Sequence, residues 1–159
     1  DDTSHLIVRT KIVFDNATPS GNGVMLDVLA RLYLITGDTI YRDRADALVA
    51  ALAPQDPRGL MNQPSLAVGF DVLTGAHQVV IAANSRSDKL AQEIFEAAVH
   101  GAPPGAVISW VFPDTVVADN HPATGKAMIN GAATAYICMG SVCGLPIQNP
   151  NEIKTAFGR

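Results

Sequence analysis

Cys138 and Cys143 stand five positions apart on either side of a Gly-Ser turn signal, and no other pair in the chain is better placed for chemistry. Across a hairpin this C-x4-C spacing brings both sulfurs to one edge, where a disulfide needs Cα atoms within about 7 Å of each other. A metal would need two further ligands, with His77, His100 and His121 to draw on, so none is expected. The spacing also opens an iron–sulfur pattern, but that pattern continues with another cysteine and the chain has two in all. The plainer reading is packing, with two small half-apolar side chains flanked by Ile137, Val142 and Leu145. Packing ranks first, and a disulfide or redox pair second. No cofactor is expected.

A second concentration lies at Asp15, Asn16, Ser20 and Asn22, just ahead of a helix start. Free backbone N–H groups at such a point favour an anion or a sugar hydroxyl. The same residue types make caps and turns, which is the favoured reading. Ser20-Gly21-Asn22-Gly23 is no phosphate loop, because no Lys-Ser/Thr follows it and no strand clearly precedes it. Proton abstraction next to a carbonyl needs a base and an acid, often two histidines. His5, His77, His100 and His121 are scattered over a tail, a strand start, a helix end and a polar loop. His100 suits the negative end of its helix, and Asp119-Asn120-His121 reads as a solvated loop. No catalytic residue is assigned.

The elements that would position these groups follow from periodicity and caps. A helix from about Gly21 to Ile35 opens on Ser20 and carries Met25, Val28, Leu29, Leu32 and Ile35 at helical spacing as its buried stripe. Gly37 suits the left-handed position after it. Asp38 or Thr39 then caps a second helix to about Leu52, folded back as a hairpin, with Ile40, Tyr41, Ala45, Leu48, Val49 and Leu52 inward. Pro54 and Pro57 interrupt, and a third helix from Gln63 to Leu73 is expected to bury Leu66, Phe70 and Leu73.

From Gln78 the pattern changes. Gln78 to Ala83 (QVVIAA) is a continuous β-branched run, typical of a strand covered on both faces. A helix from Asp88 to His100, capped by Ser85 or Ser87, leads to a strand from Ala106 to Phe112, which implies a right-handed parallel crossover. Residues 113–131 carry no readable pattern. Strands from Thr134 to Cys138 and from Val142 to Ile147 form the cysteine hairpin. Asn149, Pro150 and Glu152 begin a last helix with a capping box, running to Phe157. Leu6–Val8 and Lys11–Phe14 could pair as short strands. The fold class is α+β: a helical segment over residues 1–75, then a small α/β segment with a mixed sheet over residues 76–159.

Bulk properties exclude some partners. Net charge is −4 and the densest basic cluster, Arg42 and Arg44, is interleaved with Asp43 and Asp46, so nucleic acid is not expected. No apolar run approaches the ~20 residues of a membrane span. Charged residues make up 16%, below the roughly 25% of an average soluble chain. That shortfall points either to a large share of the surface being buried or to a wide face that normally meets other protein. Two cysteines and no signal peptide make a cytoplasmic, reducing setting the expectation. The missing initiator Met suggests a start inside a longer polypeptide.

Four strings in order carry a family resemblance: Asp15 to Asn22 (DNATPSGN), Leu34 to Tyr41 (LITGDTIY), His77 to Ala82 (HQVVIA) and Thr134 to Ile147 (TAYICMGSVCGLPI). Over residues 11 to 157 the chain resembles the C-terminal region of the thioredoxin-domain-containing proteins related to the spermatogenesis-associated group. The resemblance implies an upstream thioredoxin-like domain. It implies next an α/α toroid similar to N-acylglucosamine 2-epimerases and six-hairpin glycosidases, whose last hairpins would be residues 1–75. On that reading the loop from Asp15 to Asn22 faces a carbohydrate-like pocket and the α/β tail braces the toroid. Partners would be the upstream domains of the same polypeptide, a carbohydrate-like small molecule, or a second copy meeting an exposed helical face. Gly23 departs from the expected serine or other small residue, and 113–131 matches no family string. Two rivals stand beside this reading: a thiol redox or binding module using Cys138 and Cys143, and a sugar isomerase or hydrolase with its site at Asp15–Asn22.

Overall fold

The computed structural model describes residues 12–157. The expected pairing of Leu6–Val8 with Lys11–Phe14, and His5, lie wholly or partly outside them. Among the described residues the order is α1 (Gly21–Thr36), α2 (Thr39–Leu52), a 3-10 turn (Pro57–Asn62), α3 (Pro64–Gly75), β1 (His77–Ala82), α4 (Lys89–Gly101), β2 (Val107–Val111), β3 (Thr134–Met139), β4 (Val142–Cys143) and α5 (Pro150–Ala156). The class is α+β, as the patterning required.

Caps explain most boundaries. Ser20 Oγ accepts from Gly23 N–H at the start of α1, and Gly37 closes it at φ 72°, returning its N–H to Tyr33 O. Asp38, not Thr39, caps α2. Asp88 caps α4 by accepting from Ala91 N–H, which displaces Ser85 and Ser87 from that role; their hydroxyls bond each other. At α5 the Asn149 side chain accepts from Asn151 N–H and its amide donates to Glu152 Oε1. Glu152 therefore meets the cap side chain instead of the backbone N–H that a capping box would use.

The sheet runs β2-β1-β3-β4, with β1 parallel to β2 and antiparallel to β3. Alternation divides its faces. Val79, Ile81, Ala135 and Ile137 point to one side, into a core with Ala91, Ile94 and Ala98 of α4 and Ile153 of α5. Val107 points to the other and joins Leu26, Leu29, Ala30, Leu66, Val72 and Leu73 of the first helices. Gln78 shares that second face, and its Nε2 donates to Leu34 O. β4 is shorter than the expected Val142–Ile147. Gly144 N–H still bonds Ile137 O at 2.8 Å, after which the chain bulges through Leu145-Pro146 and meets β3 again at the Ala135–Ile147 bridge, because proline supplies no ladder donor.

Two expected stripes are corrected. Met25, Val28 and Ile35 are 50%, 43% and 48% exposed; of the expected stripe Leu29 is buried, and α1 buries Leu26, Ala30 and Leu34 with it. The helix is apolar around most of its circumference, and its contact with α3 takes the side whose small residues allow close approach. Phe70 of α3 is likewise exposed, while Gly69 is buried in its place. On α2 only Ala45 is fully buried and Ile40 is exposed.

Candidate functional site

Helices α1 and α3 lie side by side and run the same way. A Cβ on Gly23 would collide with Ser65 Oγ and come within 2.8 Å of Leu66 N, and one on Gly69 would come within 2.8 Å of Asp27 N. The glycine at 23, out of place by family pattern, is thus explained by close helix contact.

Both N-termini meet at Asp15. Oδ1 accepts from Ser20 N–H at 2.7 Å and from Ser65 Oγ at 2.5 Å, and Oδ2 accepts from Ser65 N–H at 2.6 Å. The Ser65 hydroxyl, its N–H and then the Ser20 N–H hold the carboxyl down at about 2. Parallel helices place two positive dipole ends together, and the carboxylate sits where an external anion would. Asn22 Nδ2 donates to Ile12 O at 2.6 Å, and Asn16 N–H donates to Thr18 O within the turn. Asp15, Ser20 and Asn22, singled out as ligand contacts, therefore use polar atoms to lock the loop. Asn16 stands in the same turn, exposed. Gln63 beside them is buried, and its Oε1 has no protein hydrogen-bond partner among the described residues.

At the opposite ends of the same two helices lies a cleft of about 530 Å³. Tyr33, Leu34 and Gly37 of the α1 terminus, Val72 to Thr74 of α3 and Gln78 of β1 form its base. Arg42 and Lys126 bring positive charge and Asp119 negative. Arg42 Nε bonds Asp46 at 2.8 Å while its guanidinium lies 5.9 Å from the Tyr33 ring centre, and Lys126 Nζ lies 5.9 Å from that of Tyr136.

Asp119-Asn120-His121, expected as a solvated loop within the patternless 113–131 stretch, is a wall of this cleft together with Pro122, Thr124 and Lys126. His121 Nε2 meets Ile35 O at 2.6 Å, and its Nδ1 accepts from Ala123 N–H at 3.0 Å, which fixes the Nε2–H tautomer. Asn120 Nδ2 donates to Gly37 O. Both answer carbonyls that the end of α1 leaves unpaired. Asp119 lines the cleft beside them.

The rim is the cysteine hairpin. Cys138 and Cys143 pair directly across β3 and β4, with a Cα separation of 3.9 Å, and are joined as a disulfide. Gly140, at φ 58°, makes the tight turn between them. Cys138 is 2% exposed and Cys143 is open to solvent, so Val142 and Leu145 do not bury it as the packing reading expected. The three candidate ligand histidines stay apart. His77 packs edge-on to Phe157, His100 Nδ1 meets Glu96 O at 2.7 Å, and among the described residues no group of three metal-ligating side chains forms.

Sequence reasoning missed Tyr33, Arg42, Gln78 and Lys126, which belong to four different segments. It also missed the Asn130-Gly131 turn, although that dipeptide is a strong turn signal. Asn130 at φ 52° and Gly131 at φ 75° reverse the chain between Ile129 and Ala132.

The class defined by these features is an α+β unit with a mixed four-stranded sheet and a cleft where its helices end. In sequence it is similar to the spermatogenesis-associated protein 20 of Homo sapiens, at 23% identity across 94% of this chain. The chain spans about a fifth (19%) of the length of that human protein. No protein-family model matches, and no solved structure matches. Among the described residues no helix is long and apolar enough to cross a membrane.

Proposed function

We propose that this chain serves as a C-terminal segment of a larger polypeptide, seated on its upstream part through the free face of α1 and closed by its α/β half. One observation carries the reading. Val24, Met25, Val28 and Ile35 form an exposed apolar strip opposite the buried side of α1, at 43–50% exposure. A helix apolar on both sides belongs between two partners, and here α2 and α3 supply one. The 19% share of the human relative supports a partner elsewhere in a longer chain, and the proposal places it upstream. The thioredoxin-like domain, the toroid and a carbohydrate-like ligand belong to this proposal as its finer part. A sugar site at Asp15–Asn22 draws support from the open Gln63 acceptor, but most polar atoms of that loop are engaged.

Met25→Glu with Val28→Glu tests it. In the intact source polypeptide the pair should lower Tm by several degrees, while the 159-residue chain should unfold as before. Equal, negligible effects in both would sink the reading. Loss of a concentration-dependent dimer of the 159-residue chain, with no effect in the intact polypeptide, would replace the upstream partner by a second copy.

A second reading, a thiol redox module, is favoured by the disulfide itself, since a reducing setting leaves mostly transient or catalytic disulfides. Thiol counting with and without reductant tests it: two free thiols under oxidising conditions would remove it.

A further inference from the structure

The disulfide is directional, and the sheet register decides its direction. Gln78, Cys138 and Cys143 occupy one row across β1, β3 and β4. Residues paired in a row share a face. A thiolate must reach one disulfide sulfur directly, so the difference in exposure along the row decides which one it meets. Beyond Cys143 the row ends, because β4 is the edge strand. Behind Cys138 stands Gln78, 6% exposed and tied by its amide to Leu34 O at 3.2 Å.

We propose that Cys138–Cys143 is a thiol–disulfide exchange site in which Cys143 is the sulfur attacked and Cys138 the sulfur released. This rests on the thiol reading above. The incoming class is a thiol reductant. Its thiolate bonds to Cys143 Sγ, the Cys138–Cys143 bond breaks, and Cys138 leaves with the electron pair and takes a proton from solvent. With a dithiol, the second thiolate then displaces Cys143, which is protonated in turn. The reductant closes its own disulfide, and the protein gains two electrons and two protons. One effect opposes this order: the solvated Cys143 would be the easier sulfur to release, and burial disfavours a thiolate at Cys138. Access wins because Cys138 is buried in the sheet beside Gln78 while Cys143, on the edge strand, is open to solvent. The released sulfur also opens on the cavity that holds Arg42 and Lys126.

The oxidised chain, kept native, is exposed briefly to glutathione, quenched with N-ethylmaleimide and mapped by mass spectrometry. Glutathione should sit on Cys143 and maleimide on Cys138, in at least roughly tenfold preference. Gln78→Ala should raise the Cys138 share. An even or reversed distribution in the wild-type chain overturns the proposal, as does a disulfide that reacts only after denaturation. A chain that never forms the disulfide under oxidant overturns the thiol reading beneath it, so the two failures are distinct.

Discussion

The two ends of the α1–α3 pair solve opposite problems with opposite means. At the N-terminal end one internal carboxylate satisfies both helices at once, and glycines let their backbones close on each other. At the C-terminal end the carbonyls are answered by Asn120 and His121 from a segment 83 and 86 positions away. The space between the helix ends and the sheet stays open there as a cleft. One end has internalised its anion and the other keeps room, cations and a disulfide. The difference teaches that a polar cluster before a helix is weak evidence of a ligand site when the fold supplies its own carboxylate.

The largest effect expected is that of Asp15→Ala. Three donors lose their acceptor together, and two N-termini lose their charge compensation. The thermal midpoint at neutral pH should fall by more than for any substitution below. The acid dependence sharpens this. The Asp15 carboxyl is held at about 2 against an ordinary 3.8, so its stabilisation is complete above about pH 4 and is lost as pH falls toward 2. Urea unfolding of the wild type at pH 5 and pH 2.5 should show that loss, and Asp15→Asn should show less of it. An unchanged slope would mean that the N-terminal end is not closed by this carboxylate.

Gly23→Ala comes next, at about 2 kcal/mol, because the added carbon meets Ser65 and backbone N of Leu66. Reduction of Cys138–Cys143 should cost at most about 2 kcal/mol, since the loop closed is short. It should loosen hydrogen-exchange protection around Gly144 and Ile137, which share a 2.8 Å backbone bond, and leave α1–α3 protection intact. If reduction loosened the Asp15 end as well, the two ends would be one cooperative unit and the contrast would fail.

Local signals exposed the element order. Ser20, Gly37, Pro150 and the apolar run at Val79–Ile81 act within a few residues, and caps and periodicity report at that range. Signals that act between segments stayed hidden. Gly23 has meaning only once Ser65, 42 positions later, is against it. Met25 and Val28 match a buried stripe by spacing because α1 is apolar on both sides, and only the position of α3 decides which side is inside. The cleft was illegible for the same reason: Arg42 looked like a solvated charge, and only the fold sets it on the same cleft as Lys126, 84 positions later. The cysteine spacing was readable as a hairpin, whereas the burial of one sulfur and exposure of the other depend on which strand forms the sheet edge.

The smallest effect is the one that best isolates the cleft end. His121→Ala removes the contact to Ile35 O and the acceptor for Ala123 N–H, while Asn120 still answers Gly37 O. With one carbonyl at a solvent-accessible helix end left to water, the cost should be about 1 kcal/mol. Its signature should be local: faster exchange at Ala123 and at the last turn of α1, with the N-terminal end unmoved. His121→Gln separates geometry from ring chemistry. The amide can donate to Ile35 O but reaches Ala123 N–H less well, so it should restore the α1 terminus without restoring Ala123. Full rescue of both would make the imidazole dispensable. Loss of protection at Asp15 and Ser65 in either variant would show the two ends coupled through the length of α1, and the cleft could not then be treated as an independent site.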